Sequence, residues 1–239
     1  MLFKKPNVFD KPIKLFDVDD VALHIVISKT INNVVVHTRD DSEKLLIPLR
    51  GCAKFGNMHA YSKDIIYIPR GFEDISIDLE LGSIVYIVEA PSNTVYKPYI
   101  KRFENAKTIH VGDEHSRRTR YVMIDVDDSS EKFLAGYTFC CPGCWGSYPP
   151  HRHDDKYEIF IYFDVEPGFG VQLLIDDDKE EAYVVKDFDV FLVTRGYHPN
   201  VSAPIKGLKY LWIMVAVKGS RNFSMSVNKA FVETQTMKM

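Results

Sequence analysis

Three histidines and one glutamate stand in this sequence at spacings that suit a shared divalent cation. His151, His153 and Glu158 lie within Tyr148-Pro-Pro-His-Arg-His-Asp-Asp-Lys-Tyr-Glu158, and His198 closes Arg195-Gly-Tyr-His198. Alternate side chains of a β-strand share a face, so His151 and His153 point the same way. A short turn from Asp154 to Tyr157 lets Glu158 enter on the adjoining strand. An H-x-H on a surface strand is more often just a pair of solvated histidines. Glu158 at this interval and His198 after a glycine turn shift the balance towards one bound divalent ion. Three imidazoles and a carboxylate suit zinc, expected first, or manganese, iron or nickel, with coordination positions left for water or a substrate oxygen.

A second candidate carries less. Cys141-Pro-Gly-Cys144 has the spacing of a zinc or redox pair. No matching second pair exists to complete a structural zinc site, and strand-like sequence surrounds the motif where a redox pair would open a helix. Cys52, Cys140, Cys141 and Cys144 are expected to be packed thiols in a reducing compartment.

The elements that must position the four ligands read as strands. Val34–His37, Leu45–Leu49, Asp64–Ile68 and Ser83–Val88 are short runs rich in β-branched and aromatic residues, separated by Gly, Pro, Asn and Asp. Glu158–Phe163, Val171–Ile175, Asp189–Val193 and Tyr210–Val217 repeat the theme. No segment shows a long apolar period of 3.6. Many short, evenly spaced strands predict an all-β sandwich or closed barrel.

The halves also resemble each other. Asp64-Ile-Ile-Tyr-Ile-Pro-Arg-Gly-Phe-Glu73 aligns with Asp189-Val-Phe-Leu-Val-Thr-Arg-Gly-Tyr-His198 at a constant offset of 125 residues. Each is an apolar strand followed by Arg-Gly-aromatic, with glycine where a tight turn needs positive φ. This predicts a tandem repeat of one β unit. The expected domains are residues 1–105 and 106–239. Glu73 stands where His198 stands, and if Lys44 matches Glu158, then His37 and Arg39 match the two histidines. One ligand of four would survive, so no metal is expected in the first half. The stretch from about Lys218 to Met239 is polar and reads as a tail or an arm for a partner.

Composition narrows the function. With 239 residues, 46% apolar, 26% charged and a formal net charge of −3, the chain has no basic stripe, so a nucleic-acid partner is not expected. No apolar run approaches the roughly 20 residues that span a bilayer. With no signal peptide read at the N-terminus, a cytoplasmic location and no membrane partner are expected.

H-x-H, a following Glu and a later His resemble the ligand set of the cupin superfamily. The resemblance implies a tandem cupin (bicupin), two double-stranded β-helix or jelly-roll barrels, with the metal in the second. Cys141-Pro-Gly-Cys-Trp-Gly-Ser-Tyr-Pro-Pro-His-Arg-His-Asp154 is similar to the signature of the 5-deoxy-glucuronate isomerases of inositol breakdown. So are Pro167-Gly-Phe-Gly-Val-Gln172, Arg195-Gly-Tyr-His-Pro199 with Ala203-Pro204, and the connector Arg117-Arg118. The interval from His153 to Glu158 is more like that of the sister group, the 4-deoxy-5-ketouronate isomerases of pectin breakdown. Thr194 replaces a proline, Cys141 and Cys144 replace Thr and Asn-like residues, and Trp212 stands where an asparagine is usual. The resemblance covers most of the chain and is strongest over residues 108–217.

This resemblance implies a metal-dependent aldose–ketose (ketol) isomerase acting on a small deoxy-uronate, most like 5-deoxy-glucuronate isomerase. Moving a carbonyl by one carbon requires a proton to leave the adjacent carbon, a cation to stabilise the resulting enediolate, and a base to carry the proton. Strand alternation from Glu158 turns Phe160 and Tyr162 inward, so Tyr162 is the first catalytic candidate. Gln172, polar in an apolar strand, is the second. Arg117, taken first, and Arg118 are candidates to meet a substrate carboxylate, because a guanidinium matches that anion bidentately, and Tyr197 is the further candidate for substrate binding. Each also has a bland use in packing or surface pairing. An iron-dependent oxygenase would show oxygen uptake, and a non-catalytic sugar-binding cupin would bind without turnover. Relatives form symmetric assemblies, which implies a homo-oligomer.

Overall fold

The computed structural model describes residues 1–203 and 205–236, with side chains described to Val232. Pro204 of the Ala203-Pro204 motif and residues 237–239 lie outside the described residues. Among the described residues the structure is all-β apart from a short 3₁₀ turn at Phe103–Asn105 and one helix, Lys229–Thr236. It divides into two units: Pro6–Ala106 with Met123–Leu134, and Met1–Lys5 with Lys107–Val122 and Ala135–Met239.

The first unit has a six-stranded sheet, in the order Tyr99–Lys101, Ile65–Ile68, Ser42–Arg50, Ile84–Pro91, Val21–Ile27, Pro12–Val18. A four-stranded sheet of Asn32–His37, Asp74–Leu79, Cys52–Phe55 and Met58–Tyr61 completes it. Period-two alternation is plain in Asp74–Leu79, where Ile75, Ile77 and Leu79 are buried and their neighbours exposed. Those side chains meet Val26, Leu46, Ile66, Val85 and Ile87 of the larger sheet in one core.

The second unit repeats the plan. Its larger sheet runs Leu2–Phe3, Val190–Val193, Lys156–Phe163, Lys209–Ala216, Phe133–Cys140, Arg118–Ile124, Lys107–Val111. The smaller runs Trp145–Gly146, Asn200–Ser202, Gly170–Asp176, Lys179–Val185. Leu2–Phe3, placed by sequence with the first half, pairs instead with Val190–Phe191.

The registers bear on the repeat. Lys44 faces Ile68 and Glu89, whereas Glu158 faces Val193 and Met214. The steps from 68 to 193 and from 89 to 214 are both 125 residues, so Lys44 holds the register position of Glu158. Its ammonium is fully buried and donates to the carbonyls of Arg39, Ser42 and Phe72. Burial pushes it down to about 8. A tethered cation thus sits in the first unit at the register where the second unit has a carboxylate.

Part of the C-terminal stretch returns to the second unit. Ser226–Val227 pairs antiparallel with His151–Arg152, and Asn228 N–H donates to Pro150 O. Chain ends polar in composition still pair when a neighbouring strand has open backbone groups.

Candidate metal centre

The second unit brings the four predicted ligands together. His151 opens the short strand His151–Arg152, and Glu158 lies in Lys156–Phe163, whose alternation turns Glu158, Phe160 and Tyr162 to one face. His198 follows a turn at Gly196, where φ is +83° and a Cβ would meet the Ile175 carbonyl at 2.9 Å. Only glycine suits that turn, and the turn delivers His198 inward. The potential donor atoms of His151, His153, Glu158 and His198 all lie within 4.8 Å of one another. His198 is fully buried, Glu158 and His153 nearly so, and His151 is half-buried.

Each ring is oriented by a backbone carbonyl. His151 Nδ1 lies 2.9 Å from Pro149 O, His153 Nδ1 2.9 Å from Ser224 O, and His198 Nδ1 3.1 Å from Gly196 O. A carbonyl only accepts, so Nδ1 carries the proton in all three and Nε2 presents a lone pair. His198 Nε2 is 2.8 Å and His153 Nε2 3.4 Å from Glu158 Oε2. Despite that proximity, His153 Nε2, His198 Nε2 and Glu158 Oε2 are buried without a hydrogen-bond partner. Lone pairs here face lone pairs, which buried polar atoms tolerate only around a proton or a cation. That pattern fits a divalent ion, and His₃-carboxylate is a borderline-metal donor set.

The electrostatics agree. Burial and then the neighbouring His198 push His151 down to about 4, which keeps it neutral and able to ligate. Burial opposes protonation of His153, but Glu158 outweighs it and raises the imidazole. Burial likewise opposes ionisation of Glu158, and His153 and His198 override it, holding the carboxyl well below its usual range. The site gathers one negative charge and three rings competing for one positive partner.

A cavity of about 190 Å³ opens onto three of the four ligands, His151, His153 and Glu158, with His198 buried behind them. Phe160, Tyr210, Trp212 and Phe223 supply its aromatic wall, and Arg118 and Arg120 its basic one. Tyr210, Trp212 and Met214 are alternate residues of Lys209–Ala216, and Arg118 and Arg120 alternate on Arg118–Ile124. Gly136 makes room for Trp212: a Cβ there would lie 2.4 Å from the indole Cζ2.

The other sequence-predicted site residues lie elsewhere. Tyr162 and Gln172 are fully buried and do not line the cavity. Tyr162 Oη donates to Gln172 Oε1 at 2.5 Å, and Gln172 Nε2 donates to the carbonyls of His198 and Pro199 at 2.9 and 3.2 Å. Tyr162 thus anchors Gln172, and Gln172 holds the backbone at His198 and Pro199. Arg117 is exposed just before the strand begins, so alternation admits Arg118 and Arg120 in its place. Tyr197 is half-buried outside the cavity, its ring 5.6 Å from the Arg152 guanidinium. The alternating Arg118-Thr-Arg120 and Tyr210-Leu-Trp212 were the sequence signals for the wall residues. The four cysteines are unpaired, and burial pushes Cys140 up to about 12.

The chain is similar to known proteins. The chain is 29% identical over 148 residues to 5-deoxy-glucuronate isomerase of Halalkalibacterium halodurans, spanning 57% of this chain and 54% of that one. It is 25% identical over 161 residues to 4-deoxy-L-threo-5-hexosulose-uronate ketol-isomerase of Lachnoclostridium phytofermentans, spanning 64% and 58%. The matches thus span little more than half the length of these curated relatives. An IolB-like protein from Salmonella typhimurium LT2 shares the fold at a TM-score of 0.79, with 18% identity and 90% of each chain covered. That likeness is one of fold, and supports the all-β, cupin-like architecture that the resemblance of the ligand set implied. The model of one family, described as KduI/IolB, matches residues 32–233, which include all four clustered side chains and the strands that carry them. On that span, the chain belongs to the KduI/IolB family.

Proposed function

We propose that the chain is a metal-dependent aldose–ketose isomerase of a small deoxy-uronate, built as a bicupin whose second unit holds the ion. One observation carries the reading: buried Nε2 atoms of His153 and His198 face Glu158 Oε2 with no partner, beside a cavity of small-molecule size. Family relatives named as uronate isomerases support the reaction class. His151, His153, Glu158 and His198 would hold the ion, with zinc the first candidate. A divalent ion there supplies Lewis acidity to a substrate oxygen.

The chain's own residues do the rest. The three Nδ1–H donations keep the imidazoles in the ligating tautomer. Phe160, Tyr210 and Trp212 give the cavity a wall of low polarity, so charge developing on a substrate against it is felt more strongly than in water. Burial raises the Tyr210 hydroxyl far above its usual range, so at neutral pH it offers a hydrogen and not a base. The first candidate substrate is 5-deoxy-glucuronate. The short interval from His153 to Glu158 favours 4-deoxy-5-ketouronate as the second.

The test is to purify the protein, measure bound metal by plasma mass spectrometry, and assay both uronates for isomerisation. His153→Ala should lose metal and turnover together. Full activity in a metal-free preparation would sink the proposal.

A further inference from the structure

The cavity is basic in a way that the metal ligands do not explain. Arg118 is already engaged: its guanidinium donates to Ser116 O at 2.7 Å and Tyr148 O at 2.6 Å. It braces the residues just before His151. The guanidinium of Arg120, two positions along the same strand, makes no ion pair or hydrogen bond among the described residues. Its guanidinium instead rests on rings, 5.5 Å from the Trp212 centroid and 6.0 Å from that of Phe223.

Aromatic stacking holds the guanidinium by its face and leaves the in-plane N–H fork free. Beside it, Trp212 Nε1 is a buried donor with no acceptor. Glu158 is the only carboxylate among the cavity-lining residues, and its Oε2 faces His153 and His198. Two residues of the lining thus carry donors without acceptors, one charged and one neutral, and the carboxylate that shares the lining is turned to the histidines. A buried donor without an acceptor is costly, and a ligand that supplies the acceptor recovers that cost.

We infer that Arg120, held flat by Trp212 and Phe223, is the dock for the carboxylate of the substrate, and selects sugar acids over neutral sugars. A planar carboxylate matches the guanidinium fork with two parallel hydrogen bonds. The remainder of the sugar then lies towards His151, His153 and Glu158. This assignment rests on the isomerase reading for its substrate class, but the selectivity itself needs no turnover.

Two probes of one shape and different charge test it: D-glucuronate and its amide, glucuronamide, titrated calorimetrically into the metal-loaded full chain. The wild type should bind glucuronate at least about tenfold more tightly than the amide. Arg120→Met should erase that preference while bound metal per chain stays unchanged. Equal affinity of the wild type for the two probes, or a preference that survives Arg120→Met, overturns the assignment. If the methionine variant does not fold, Arg120→Lys replaces it, keeping the charge but losing the fork. A several-fold loss of preference is then expected, and an undiminished preference overturns the dock. Carboxylate preference without turnover of any uronate would sink the isomerase reading alone. Uronate turnover without the preference would sink Arg120 alone.

Discussion

His153 donates its Nδ1–H to the backbone carbonyl of Ser224, 2.9 Å away and 71 residues further along the chain. That bond ties a candidate ligand to the returning C-terminal segment. Lys156 reinforces the tie by donating to Asn222 Oδ1 and Ser224 Oγ at 3.1 and 3.0 Å. Phe223 and Met225 on either side of Ser224 line the cavity. The segment therefore sets the tautomer of His153 and closes part of the wall at once.

A chain ending at Val217 should keep all four candidate ligands yet bind zinc about 10- to 100-fold more weakly, the usual effect of removing an outer-shell partner. Competition with a chromophoric chelator measures it. Unchanged affinity would show that Ser224 does not orient His153.

Tyr162 sits on the ligand strand, but its hydroxyl serves Gln172, and Gln172 serves the His198 carbonyl. Tyr162→Phe removes one buried hydrogen bond, while Asn200 Nδ2 still reaches Gln172 Oε1 at 3.3 Å. The cost should be about 1 kcal/mol of stability with kcat within a few-fold of wild type. A general acid in the reaction would instead lose about 10²- to 10⁴-fold in kcat. Urea melts and steady-state rates, taken together, separate the two roles.

The raised imidazole of His153 sets a pH signature for the metal-free protein. Its folded pKa lies above the ordinary 6.5 because Glu158 outweighs burial, so the folded state binds the extra proton. That contribution is fully present below the unfolded value and is lost as pH rises through the folded one. The metal-free melting temperature should therefore fall as pH climbs above about 6.5. An added divalent ion displaces that proton, so the stabilisation from zinc should grow over the same range. Melting curves with and without zinc between about pH 6 and pH 8.5 decide it. A zinc effect that shrinks with rising pH would contradict the assignment of His153 as a ligand.

Much of the second unit was legible from residue order alone. The strands around Glu158, Val190 and Tyr210 carry runs of β-branched and aromatic side chains that favour strand over helix, and their alternation turns Glu158 inward. The ligand cluster is readable because His151, His153 and Glu158 are close in sequence, and the Gly196 turn marks His198. Strand pairing, in contrast, involves residues far apart, and it decided the rest. It spent Tyr162 on Gln172, two inward positions that sequence cannot distinguish from cavity wall. It set the register that admits Arg120 and excludes Arg117. It also brought Ser224 under His153. Local pattern tells which face a side chain takes; only the packed sheet determines what waits on that face, because hydrogen-bond partners and open space are properties of neighbours distant in the chain.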